Sequence, residues 1–151
     1  VEGDFGIVAV LGPAYVGRAE QAKTRDPRVR LMRDVRDMAT VLGAADVAVA
    51  GSGGTASELA FLGVPMILLA LSPDQAPIAT AMERAGAALF LGRPDDIENS
   101  SLARALRGLT SDPRQREAMR AAGRALIDGK GAERVADVIL AMPLSAARKT
   151  A

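Results

Sequence analysis

Gly51-Ser52-Gly53-Gly54-Thr55, with Glu58 three residues further on, holds the residue types and spacing most able to do chemistry in this chain. The loop follows an apolar run at 46–50 and leads into a helix-like segment at 56–62. A strand that ends in glycines and turns straight into a helix leaves backbone N–H groups free where the helix dipole is positive. That arrangement attracts phosphate. Glu58 comes one turn into the helix, a poor neighbour for phosphate but a good acceptor for sugar hydroxyls. Together they point to a nucleotide or nucleotide-sugar. Each half also has a plainer reading. The glycines suit a tight turn at positive φ, and Glu58 suits a solvated helix position or an i,i+4 pair. No Lys follows Gly54, and the glycine spacing is not G-x-G-x-x-G, so P-loop ATPase and plain NAD-binding readings drop.

The rest of the composition narrows the chemistry. The chain has 151 residues, which is one domain's worth of core. Its 49% apolar and 25% charged residues suit a soluble globular protein. A net charge of +1, without a Lys/Arg cluster interleaved with aromatics, argues against nucleic acid as a partner. Cysteine is absent, which removes disulfides, thiolate catalysis and cysteine-held metals; histidine is absent too, which removes imidazole as base, acid or ligand. Carboxylates, hydroxyls, arginines and backbone amides remain. Asp95-Asp96 resembles a metal-binding pair, but its place before Ile97 reads better as an N-cap and first-turn acid. The longest apolar stretch, 64–71, contains Pro65 and is too short to span a bilayer. The start, Val1-Glu2-Gly3-Asp4, has neither an initiating Met nor a positive n-region. A cytoplasmic protein is the simple expectation, and the missing Met hints at a longer chain.

The elements that must position these residues alternate. Short apolar runs at 5–11, 28–32, 46–50, 65–71 and 88–91 read as strands. Amphipathic segments at 15–23, 38–42, 55–62 and 78–85 read as the helices between them, and 97–109, 113–127 and 132–142 as a helical C-terminal part. Gly43, Gly63 and Gly86 stop helices, Ser111-Asp112-Pro113 starts one, and the tail from Ser145 is polar. The expected fold is α/β: a Rossmann-like, doubly wound parallel sheet in three layers, forming a single domain. Ligands in such sheets collect at the carboxyl ends of the strands. Four segments converge there: Gly12-Pro13-Ala14-Tyr15, Met32-Arg33-Asp34-Val35, the glycine loop, and Ser72-Pro73-Asp74-Gln75. Asp74 and Gln75 serve equally well as the cap of the following helix, and Tyr15 as a packing residue.

These motifs carry a family resemblance. The run Asp46-Val47-Ala48-Val49-Ala50-Gly51-Ser52-Gly53-Gly54-Thr55-Ala56-Ser57-Glu58-Leu59, followed by Gly63-Val64-Pro65, Asp74-Gln75 and Ala85-Gly86-Ala87-Ala88, resembles the C-terminal half of a GT-B fold glycosyltransferase. Within that group it is similar to the MurG type, and closer to the PseG and SpsG types. Leu11-Gly12-Pro13-Ala14-Tyr15 and the segment from Gln75 through Pro77-Ile78-Ala79 lean toward the latter.

The resemblance implies a UDP-sugar ligand and no metal. By position, Gly51, Ser52, Gly53, Gly54 and Thr55 would hold the diphosphate with amides and hydroxyls, and Glu58 would take the ribose hydroxyls. The segment from Met32 to Val35 would present main-chain groups to the uracil edge. Asp74 and Gln75 would face the sugar, and Gly12 and Tyr15 would sit where the first strand opens toward an interdomain cleft. It also implies a role in glycosyl transfer or UDP-sugar hydrolysis for cell-surface polysaccharide or nonulosonate synthesis. The catalytic base of such relatives belongs to an N-terminal domain and is commonly a histidine, which this chain lacks. An N-terminal domain or partner subunit is therefore expected to complete the enzyme. The alternatives are a non-catalytic module that docks such a subunit, and an α/β domain with a different phosphate ligand.

Overall fold

The computed structural model describes residues 5–12, 15 and 26–142. The helix expected at 15–23, apart from Tyr15, and the tail from Ser145 lie outside the described residues. Five strands alternate with helices in the order read from the sequence. Strand β1 (Ile7–Leu11) pairs in parallel with β2 (Val29–Arg33), from Ile7 opposite Val29 to Leu11 opposite Arg33. Helix α1 (Met38–Gly43) follows, then β3 (Ala48–Gly51), α2 (Gly54–Leu62), β4 (Met66–Leu69), α3 (Gln75–Arg84) and β5 (Leu89–Phe90). A 3₁₀ turn at Pro94–Asp96 leads to α4 (Asn99–Ser111), α5 (Pro113–Leu126) and α6 (Gly131–Ala141). Strands β3, β4 and β5 form a second parallel ladder with β4 at its centre.

Strand β4 organises the core. Its residues alternate in direction, so Met66 and Leu68 face one side and Ile67 the other, all fully buried. Met66 and Leu68 pack with Ala56, Leu59 and Ala60 of α2 and with Ala79 and Met82 of α3. Ile67 packs with Leu109 of α4 and Met119 of α5. Helices therefore cover both faces of this ladder, which is the doubly wound, three-layer arrangement and explains the unbroken apolar run of β4.

Helix ends follow local chemistry, with two differences from expectation. Gly63 terminates α2 at φ 71°, a conformation that only glycine takes without strain. Asp112 caps α5, accepting from the amides of Arg114 and Gln115 at 2.9 and 3.0 Å. Helix α3 begins at Gln75 rather than at 78, because Pro77 falls in the first turn, where a missing N–H costs nothing. Asp95 and Asp96 do not cap the fourth helix. They lie in the 3₁₀ turn, exposed and 3.9–4.0 Å from the Arg93 guanidinium, and Glu98 occupies the N-cap position of α4.

Two surface carboxylates, Asp128 exposed and Asp26 half-buried, hold turns. Asp128 accepts from the two terminal guanidinium nitrogens of Arg134, at 2.7 and 3.0 Å, and from the Lys130 amide at 3.0 Å. The bonds from Arg134 first, then that amide, lower its pKa from 3.8 to about 2. Asp26 is lowered to about 2 in the same way by its side-chain and backbone bonds from Arg28. Because both pKa values fall on folding, their contribution is present above the unfolded value and lost as pH drops through the folded one. The melting temperature should fall between about pH 4 and pH 2, and Asp128→Asn should remove part of that drop in a thermal melt series.

Candidate functional site

The glycine loop joins β3 to α2 and does not use its glycines for positive φ. None of Gly51, Gly53 and Gly54 has positive φ; the positive-φ glycines among the described residues are Gly63, Gly86, Gly92 and Gly129. The tight-turn reading therefore fails here. At Gly51 an added Cβ would come 2.7 Å from Leu71 Cδ1, whereas at Gly54 it would meet open space. Gly54 is bare toward solvent.

The N-terminus of α2 is unclaimed by the protein. No side chain caps it and no acid lies in its first turn. The Ala56 amide donates to the Gly53 carbonyl at 3.0 Å, but the amides of Gly54 and Thr55 precede the helix ladder and have no partner among the described residues. Two N–H donors and the positive end of a nine-residue helix thus face outward.

Ser52 stands apart from the expectation that its hydroxyl would reach a ligand. It is fully buried; its amide donates to the Leu69 carbonyl at 3.0 Å, and its Oγ lies 3.2 Å from that carbonyl and 3.1 Å from the carbonyl of Gln75. Both donors are already committed inside the fold.

Gln75, the first residue of α3, leans over the loop. Its Oε1 accepts from the Leu71 amide at 3.1 Å, and its Nε2 is 3.7 Å from where a Gly53 Cβ would stand. Asp74 occupies the N-cap position of α3 but makes no side-chain capping bond, and it is exposed. Its carboxylate remains available beside Gln75.

Glu58 opens into a shallow depression of about 270 Å³ between α1 and α2, with Met38, Ala39, Leu42, Phe61 and Leu62. Its carboxylate is exposed and has no hydrogen-bond or ion-pair partner among the described residues, so the i,i+4 reading fails too. A second depression, about 360 Å³, lies at the carboxyl ends of β1 and β2, lined by Gly12, Asp34, Val35, Arg36 and Met38 among others. Met32 is half-buried within β2, opposite Val10. Tyr15 is 41% exposed, its amide donating to the Gly12 carbonyl at 3.0 Å and its ring 5.7 Å from the Arg33 guanidinium carbon.

Met38 belongs to both depressions, and sequence reasoning passed over it as one more helical residue. A signal was present. Asp37 caps α1 by accepting from the Thr40 amide at 3.1 Å and the Thr40 hydroxyl at 2.6 Å, which lowers its pKa. An Asp at the N-cap marks the helix start and makes Met38 the first residue of α1, one short turn past the end of β2. Asp34, at φ 50°, turns the chain between those two elements. The assembled features adjoin in space: the strand ends and Glu58 meet at Met38, α2 joins Glu58 to the free amides, and Gln75 lies beside Gly53. Among the described residues no three His, Cys, Asp or Glu are grouped so as to hold a metal, and no helix is long and apolar enough to cross a membrane.

No family model matches the chain. Curated proteins and solved structures do. The chain is 34% identical over 155 aligned positions to the UDP-N-acetylglucosamine–N-acetylmuramyl-(pentapeptide) pyrophosphoryl-undecaprenol N-acetylglucosamine transferase of Rhodopseudomonas palustris; 89% of this chain and 41% of the relative are covered. It is 29% identical over 115 positions to the spore coat polysaccharide biosynthesis protein SpsG of Bacillus subtilis, covering 76% of this chain and 34% of that protein. The crystal structure of Acinetobacter baumannii MurG superposes with a TM-score of 0.79 at 22% identity, over 94% of this chain and 43% of that one. The chain thus spans less than half the length of each.

Proposed function

Because the chain is a GT-B glycosyltransferase-like domain of the C-terminal type, we propose that it binds the UDP-sugar donor of a glycosyltransferase. The observation that carries this reading is the uncapped, acid-free start of α2, with the Gly54 and Thr55 amides free and Glu58 unpaired one turn later. The amides would take the diphosphate and oppose the charge that develops on it as the glycosidic bond breaks. Glu58 would accept from the two ribose hydroxyls. The base would lie between the strand ends of β1 and β2 and Met38, against main-chain groups of Val35. Gln75 and Asp74 would face the sugar. The Rhodopseudomonas relative is named for an N-acetylglucosamine donor, so UDP-N-acetylglucosamine is the first ligand to test.

The residues needed to activate an acceptor are not evident in a chain without histidine. We assign that step to a second domain or subunit. Transfer to a cell-surface polysaccharide precursor is the favoured reaction; hydrolysis of the UDP-sugar is its rival. A docking role is supported by α6, where Val135, Val138 and Ile139 stand exposed at helical spacing, with Leu140 and, just past the helix, Met142 exposed beside them. At the strand ends the exposed apolar side chains are chiefly Leu71 and Tyr15.

Calorimetric titration with UDP and UDP-N-acetylglucosamine tests the reading. Saturable binding is expected, and Glu58→Ala should weaken it about 10–100-fold, the worth of hydrogen bonds to a charged group. The melting temperature should hold, since the carboxylate has no partner to lose. Unchanged affinity in Glu58→Ala would sink this placement of the ribose.

A further inference from the structure

We propose that Ser52 is a positioning residue: its hydroxyl clamps the glycine loop to the start of α3, so that the phosphate-facing amides and Gln75 move as one unit. This rests on the site reading above and adds to it a determinant of selectivity for the sugar-bearing nucleotide over bare UDP.

Among the described residues Ser52 is the only polar side chain that is buried. Burying a hydroxyl is unfavourable unless it is bonded, and Ser52 Oγ has two carbonyl acceptors, Leu69 O at 3.2 Å and Gln75 O at 3.1 Å. A hydroxyl has one proton, so the two carbonyls share it. They belong to different elements, the last residue of β4 and the first of α3. Ser52 itself lies between the end of β3 and the start of α2. One oxygen therefore ties three segments together at the point where the free amides and Gln75 meet.

The neighbouring bonds point the same way. The Ser52 amide also donates to Leu69 O, so the loop is held to β4 even without the hydroxyl. Gln75 Oε1 holds the Leu71 amide, which fixes the chain between β4 and α3. The bond from Ser52 Oγ to Gln75 O is the direct hydrogen-bonded link between the glycine loop and α3. Ser52→Ala removes that link and leaves the loop's attachment to β4 in place.

Two measurements test the clamp. Amide hydrogen exchange on the ligand-free chain should show faster exchange in Ser52→Ala at the bonded amides of Leu71 and Ala56, with the β1–β2 ladder unchanged. Binding should show UDP affinity within about three-fold of the unaltered chain and UDP-N-acetylglucosamine affinity reduced about ten-fold, the worth of one hydrogen bond. Ser52→Cys keeps the shape and weakens the donor. It should shift both measurements in the same direction and serves if the alanine variant does not fold. Unchanged exchange at Leu71, a uniform rise that includes the β1–β2 ladder, or equal losses for the two nucleotides would each overturn the clamp. If the unaltered chain binds neither nucleotide, the reading of the site falls, and the exchange result alone supports or overturns the clamp.

Discussion

A Gly54→Asp chain is expected to fold at least as well as the unaltered protein and to bind UDP about 100-fold more weakly. The two effects have opposite signs for one reason. Gly54 is the first residue of α2, and a Cβ there meets nothing within 4 Å. A carboxylate at a helix N-terminus is favourable by roughly 0.3–1 kcal/mol, and replacing glycine inside a helix adds a little more. A diphosphate bound to the same amides would instead face a like charge at contact distance. Two unit charges 4 Å apart repel by about 4 kcal/mol at an effective dielectric of 20, and discounting for solvent exposure leaves about 3 kcal/mol, or 100-fold. Thermal melts and UDP titrations on one sample check both signs. Loss of stability together with loss of binding would mean that the loop is structural and that no anion sits there.

Gly123→Leu should cost about 3 kcal/mol or more, a large part of the 5–15 kcal/mol that keeps a domain folded. Gly123 lies on α5 where it crosses α2. A Cβ at that position would stand 3.0 Å from the Ala60 carbonyl oxygen and 3.2 Å from its Cα. Those are backbone atoms, which cannot rotate away as a side-chain tip can, so α2 and α5 must separate. Ala60 and Leu59 are fully buried beside β4, and separation opens that core. Even Gly123→Ala, which elsewhere in a helix gains about 1 kcal/mol, should be destabilising here. Urea unfolding of the two variants measures this. Because α2 carries the free amides and Glu58, any folded Gly123 variant should also bind UDP less well.

Much of the fold was legible because it depends on local patterning. Five apolar runs became five parallel strands in order, and α1, α2 and α5 began within a residue of expectation, where cap residues and glycines sit in plain view. Boundaries slipped where a residue had two uses. Pro77 read as lying before the α3 boundary although a first turn accepts it, and Asp95-Asp96 read as a cap although the chain makes a 3₁₀ turn there instead.

The site was legible to a different depth at each residue. By itself the sequence determined the linear order: a strand, a glycine loop, a helix and a carboxylate one turn on, with no histidine or cysteine to do the chemistry. Those are covalent facts about neighbours, and the expectation of a phosphate-bearing ligand rests on them. Tertiary structure decided how the loop's donors are divided. Ser52 and Thr55 look alike in sequence, but Ser52 is sealed under β4 and α3 with both donors used, while the amides of Gly54 and Thr55 stay open. It also brought Met38 between Glu58 and the strand ends, and Gln75 over Gly53. Which side of a loop faces inward depends on what packs against it from tens of residues away, and no spacing along the chain encodes that directly.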